Sequence, residues 1–147
     1  MNPRSDFRAG RLRLLRVFLG FAAIAWGVSF YGVLASWSDA VAALQGLGAG
    51  AIPTDPMLDY WLRMASGAFG LVGCLLAVLA IDPDRHRAII PWFGALMLAE
   101  GSILLVHGVR LGLAPLPFTA DTTACFLGGF GILFSARSAF SAARLAD

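Results

Sequence analysis

Glu100 is the only glutamate in the chain, and it stands in an otherwise apolar stretch, LAEGSILLVHG, with His107 seven residues further on. An ionisable group at bilayer depth is costly, so it is expected to have a partner or a task. Seven helical steps of ~100° fall about 20° short of two full turns, which puts Glu100 and His107 on one face. In the preceding apolar stretch, Arg63 is followed at steps of three and four by Ser66, Gly67, Gly70 and Cys74. Such stripes of small residues are where membrane helices approach closely, so Arg63 is expected to face the bundle. Asp121 opens the last apolar stretch, and Arg110 closes the one before it. An arginine and a histidine can hold an anionic or quinone-like headgroup while a carboxyl handles a proton. The same residues can also form a charge-balanced plug that fixes helix register.

These side chains need elements to carry them. At 147 residues, 59% hydrophobic and 14% charged, with a mean hydropathy of +0.76, the chain is too apolar for an ordinary soluble domain. A crossing takes ~20 residues, so there is room for four spans with short connections and no soluble catalytic domain. The spans are expected over about 17–37, 58–81, 88–109 and 117–138, after a basic segment 1–16. The last is the least apolar, because Thr119, Asp121, Thr122 and Thr123 fall in its first turns. The expected fold is all-α, a single membrane domain built as a four-helix bundle. The first apolar run is longer than a signal-peptide core and is expected to be retained as a helix.

Orientation follows from arginine, since the chain contains no lysine. Arg4, Arg8, Arg11, Arg13 and Arg16 precede the first span, Arg85 and Arg87 lie between the second and third, and Arg137 and Arg144 follow the fourth. The positive-inside rule then puts both termini and the DPDRHR loop in the cytoplasm. Trp37, Tyr60, Trp61 and Trp92 near span ends fit an interfacial aromatic belt. In the first outer connection, a short helix capped by Ser38 is expected, then a flexible GLGAG stretch, with Pro53 and Pro56 leading into the second span.

If consecutive spans pack as hairpins, Arg63 lies level with residues 105–107 and Asp121 with Gly108. Arg63, His107 and Asp121 then converge in the outer half, with Arg110 beside them. Glu100 lies about 9 Å deeper, beside Gly128 and Gly129, whose missing side chains leave it room. A guanidinium within reach favours the Glu100 carboxylate, whereas burial without one favours the neutral acid.

No metal site is expected: His86 and His107 lie on opposite sides, and Glu100 and His107 are too far apart for ligands on adjacent turns. Cys74 and Cys125 differ in depth by ~13 Å, too far for a disulfide. Both are expected to pack as small hydrophobes. No nucleotide loop, nucleophile elbow or zinc-protease motif is present. The arginine-rich start abuts a span, so it is read as a lipid anchor and not as a nucleic-acid site.

Four spans in this length, a polar first outer connection, LRMASGAFGLVG opening the second span and LAEGSILLVHG in the third together resemble the DoxX-like group of small bacterial membrane proteins. The resemblance implies a bacterial inner membrane. Some members of that group are associated with quinone-linked sulfur oxidation or membrane redox complexes. No catalytic residue carries over. The first functional expectation is a non-enzymatic accessory or structural subunit, with lipid and other membrane subunits or further copies of itself as partners. The alternative is a protein that binds a small ligand, such as a quinone or anionic lipid, or handles protons, through Arg63, Glu100, His107, Asp121 and Arg110. Beyond a possible quinone or lipid, no cofactor is expected.

Overall fold

A computed structural model describes residues 3–113 and 115–144. It is a four-helix membrane bundle, and no strand occurs among the described residues. The first crossing is a near-continuous rod: α1 (Pro3–Gly27), a 3₁₀ turn (Val28–Phe30) and α2 (Tyr31–Leu34). A short α3 (Trp37–Gly46) follows, then α4 (Pro56–Ile81), α5 (Ile90–Arg110) and α6 (Pro115–Arg144). Four segments are long and apolar enough to cross a membrane: Arg8–Leu34, Pro56–Ile81, Ile90–Arg110 and Phe118–Ser141. The first helix therefore begins well before residue 17, and the arginines from Arg8 to Arg16 ride on it. The side chains of Arg4 and Arg144 lie outside the described residues.

Local sequence sets the helix ends. Asp55 caps α4 by accepting from the Met57 amide at 2.7 Å, with Pro56 at the first helical position. The short helix is capped by Ser36, not Ser38 as expected. Ser36 Oγ accepts from the Asp39 amide at 3.2 Å and donates to Asp39 Oδ2 at 2.6 Å, a reciprocal arrangement that Ser38 stands two residues too late to make. At the end of α5, Gly112 takes φ +60°, and the Leu113 amide returns to the Gly108 carbonyl at 3.1 Å. Glycine meets this left-handed turn without a Cβ penalty.

The packing order departs from the expected succession of hairpins. α1 packs on both α4 and α6, and α5 packs on α6. α4 and α5, although consecutive, share no extended interface. The helices thus run α4, α1, α6, α5 around an arc, and the arc is open between α4 and α5.

Along the bundle, the two halves differ. Leu15, Leu19 and Ala22 of α1, Leu76 and Leu79 of α4, Ile90 and Met97 of α5, and Ile132 and Ala136 of α6 form one buried cluster. All lie toward the arginine-bearing end, where Arg8 pairs with Asp84 at 2.9 Å and Arg11 donates to the Ser138 carbonyl at 2.7 Å. These contacts bring the first helix, the 82–89 turn and the last helix together at one end. Large apolar side chains such as Ile24 (77% exposed) and Phe134 (72%) cover the outside, as lipid contact requires. Tyr60 and Trp61 stand exposed near one end and Trp92 near the other.

Candidate acidic cavity

Above the packed cluster, on the side away from the arginines, residues of all four helices line a half-open cavity of about 140 Å³. The first crossing contributes Trp26 from α1 and Ser29 from the 3₁₀ turn, α4 contributes Phe69, α5 contributes Glu100 and Leu104, and α6 contributes Asp121 and Cys125. Trp26 and Phe69 meet edge to face, with centroids 5.4 Å apart and planes at 80°. The wall residues sit one to two turns beyond the core residues of their own helices: Trp26 and Glu100 about one turn beyond Ala22 and Met97, Phe69 and Cys125 about two turns beyond Leu76 and Ile132.

Depth follows from helix position. Glu100 is the middle residue of α5, since 100 − 90 = 10 and 110 − 100 = 10. That puts it about 15 Å from either end, half the thickness of a hydrocarbon core. Gly101 abuts Cys125, where an added Cβ would lie 3.0 Å from that side chain. Glu100 is therefore level with Cys125, and Asp121, four residues away, stands about 6 Å nearer the arginine-poor end. The two carboxyls form a ladder from near that end to mid-membrane.

The expected convergence of Arg63, His107 and Asp121 does not occur. Arg63 points at the end of the first crossing. Its Nη1 donates to the carbonyls of Gly32 and Val33, each at 3.0 Å, and of Ala35. Its Nε donates to Asp59 at 2.9 Å. These acceptors are last-turn carbonyls with no intrahelical donor, and a cation suits a helix C-terminus. The hairpin assumption failed here because α4 packs on α1 and not on α5. His107 and Arg110 are exposed and line no wall of the cavity.

The small-residue stripe does its packing on the first crossing. An added Cβ at Gly70 would run into the Phe30 ring at 2.6 Å, and buried Ser66 lies against Gly32. Gly67 has more room, 3.7 Å from Val33. Cys74 is exposed, and Gly73 continues the stripe in its place. Gly128 and Gly129 make no room for Glu100: Met97 and Leu98 fill those positions, at 2.5 Å and 2.7 Å from the added Cβ atoms. The depth reading was off by a turn because α5 and α6 pair in a different register.

Among the described residues, neither Glu100 nor Asp121 has a hydrogen-bond or ion-pair partner, and no basic side chain lines the cavity. Two acids, two aromatic rings, a hydroxyl and a thiol line the cavity, and such groups can take up positive charge as a proton on a carboxyl or as a cation between carboxylate and ring. No group of three or more His, Cys, Asp or Glu side chains is placed to hold a metal among those residues.

Sequence reading missed Trp26, Ser29, Phe69 and Asp59. Asp59 was legible as the i−4 partner of Arg63. Trp26 and Ser29 carried a fainter signal, an aromatic and a hydroxyl three residues apart on one face at a depth where belt tryptophans do not sit. Comparison of the chain with protein-family models, curated proteins and solved structures gave no match.

Proposed function

We propose that this integral membrane protein binds a proton or small cation in a one-sided cavity that runs from its arginine-poor face to mid-membrane. Glu100 is the deep acceptor, and Asp121 stands nearer the surface. The observation that carries this reading is the union of Glu100 and Asp121 in one cavity without a basic neighbour. Arg63 is occupied by carbonyls and Asp59, which removes the cation that an anionic headgroup or quinone ligand was expected to use. The buried cluster beneath blocks the cavity on the arginine-bearing side, so the geometry favours binding or delivery over through-conduction.

Cys125 offers a direct test. In a Cys74→Ala background, a methanethiosulfonate reagent converts the Cys125 thiolate to a mixed disulfide and releases methanesulfinate. A trimethylammonium reagent is expected to react from the arginine-poor side about tenfold or more faster than a sulfonate reagent, because acid-lined clefts concentrate cations. Glu100→Gln and Asp121→Asn should each erode that preference. Equal rates, or access only from the other side, would overturn the reading. Ser29→Cys in a cysteine-free chain repeats the measurement at a second wall position.

A second reading, an accessory subunit of a larger membrane complex, draws on the arc left open between α4 and α5, which a neighbouring helix or lipid would close. A cavity that ends at mid-membrane also suits a component that passes its proton or ion to a partner. Under either reading, the arginine distribution supports cytoplasmic termini, and the DoxX-like motifs support a bacterial inner membrane.

A further inference from the structure

The cavity adjoins a second hollow. On the outside of the bundle, between α1 and α6, an open groove of about 490 Å³ runs along Phe21, Thr123 and Leu127. Ala25 and Ala124 line both the groove and the cavity. Phe21 and Leu127 are 42% and 57% exposed, so the groove offers hydrocarbon a surface at the level of the lipid tails.

Size and polarity divide the two spaces. At ~30 Å³ per water-sized group, a cavity of about 140 Å³ takes about five heavy atoms, the size of a substituted ammonium head. Its walls suit such a head: two unpartnered carboxyls, the Trp26 and Phe69 rings, and the Cys125 thiol, which is 4% exposed and has no partner among the described residues. Ring faces and carboxylates together bind alkylammonium better than either alone. The groove, by contrast, has no charged residue.

We infer that the site takes a single-chain amphiphilic cation, with its ammonium head among Glu100, Asp121, Trp26 and Phe69 and its hydrocarbon tail passing Ala25 and Ala124 into the α1–α6 groove. This rests on the cation reading above and names its ligand class. A zwitterionic phospholipid fits less well. Its phosphate would be drawn toward two carboxyls, its head would have to leave the interface for mid-membrane, and one groove serves one chain.

The test measures equilibrium binding to the full-length protein in maltoside micelles, counted against micelles without protein. The probes are octyltrimethylammonium, tetramethylammonium, octyl sulfate and a short-chain phosphatidylcholine. Octyltrimethylammonium should bind one to one and about tenfold or more tighter than tetramethylammonium, because the tail leaves water. Octyl sulfate should not bind. Glu100→Gln should weaken both cations by about tenfold or more, the loss expected when one partner of a buried charge pair is removed, and Asp121→Asn should weaken them in the same direction. Ala120→Trp, which fills the groove without touching the cavity wall, should weaken the octyl compound and leave tetramethylammonium unchanged. Equal affinity of the two cations, or indifference to Ala120→Trp, would overturn the amphiphile inference while leaving the cation site intact. Cation binding that ignores both acid substitutions would overturn the cation reading itself. Preferential binding of the phosphatidylcholine would replace the ligand class with a lipid.

Discussion

Gly73 of α4 stands against the backbone of Gly27 in α1, so close that a methyl added to Gly73 would lie 2.5 Å from the Gly27 nitrogen and 2.9 Å from the Ala23 carbonyl oxygen. Both obstacles are main chain, which cannot swing aside as a rotamer does. The contact lies just before the 3₁₀ turn of the first crossing, and that turn carries Ser29 into the cavity. The spacing of α1 and α4 thus sets one side of the acidic site.

Gly73→Ala is therefore expected to force the two helices apart and to lower stability by about 2 kcal/mol, as overpacking does. Gly67→Ala, whose added carbon would meet only the Val33 side chain at 3.7 Å, should leave the melting temperature almost unchanged. Thermal unfolding of the two variants in the same detergent checks the contrast. A large loss at Gly67 with none at Gly73 would mean that α1 and α4 cross elsewhere.

Arg63 holds the first crossing at its far end. Removing the guanidinium leaves the Gly32, Val33 and Ala35 carbonyls without their donor, and Arg63→Ala is expected to cost about 2–3 kcal/mol, as for hydrogen bonds to a charged group. Lysine supplies one point charge in place of a planar fork, so Arg63→Lys should restore part of that. Asp59→Asn should cost less than about 1 kcal/mol, because the Arg63–Asp59 pair is 28% and 41% exposed and such pairs are worth little. Cation binding should survive Arg63→Lys. A loss of binding with unchanged stability would return Arg63 to the site.

The membrane class, the four spans and the mid-membrane placement of Glu100 were legible because hydropathy and length register each helix separately. Neighbour relations were not, because small residues mark more than one face of every helix. Gly94, Gly101 and Gly108 recur at sevens along α5 and meet Leu133, Cys125 and Phe118 of α6. That stripe was in the sequence, but only the structure shows that α6 fills it. The stripe of Ser66, Gly70 and Gly73 on α4 was equally visible, but nothing in it says whether α1 or α5 fills it. Assuming that consecutive helices pack brought Arg63 to His107, whereas the actual order brought Trp26, Ser29 and Phe69 to Glu100 and Asp121.

Glu100 separates binding from stability most clearly. A carboxyl that served as structural glue would have a partner, and its loss would weaken the fold. Among the described residues Glu100 has none, and it stands half-buried at mid-membrane, where a polar group without a partner is costly. Glu100→Leu is accordingly expected to raise stability by about 1 kcal/mol or leave it level, the usual trade-off where a site is kept for function, and to abolish cation binding. Glu100→Gln should lie between, with binding weakened about tenfold or more and stability within about 0.5 kcal/mol of the parent, as for substitutions that break no packed contact. Paired melting and binding measurements on the parent and both variants decide it. Loss of stability in Glu100→Leu by more than about 2 kcal/mol, the mark of a broken buried network, would make Glu100 part of the scaffold and leave the cavity without its acceptor.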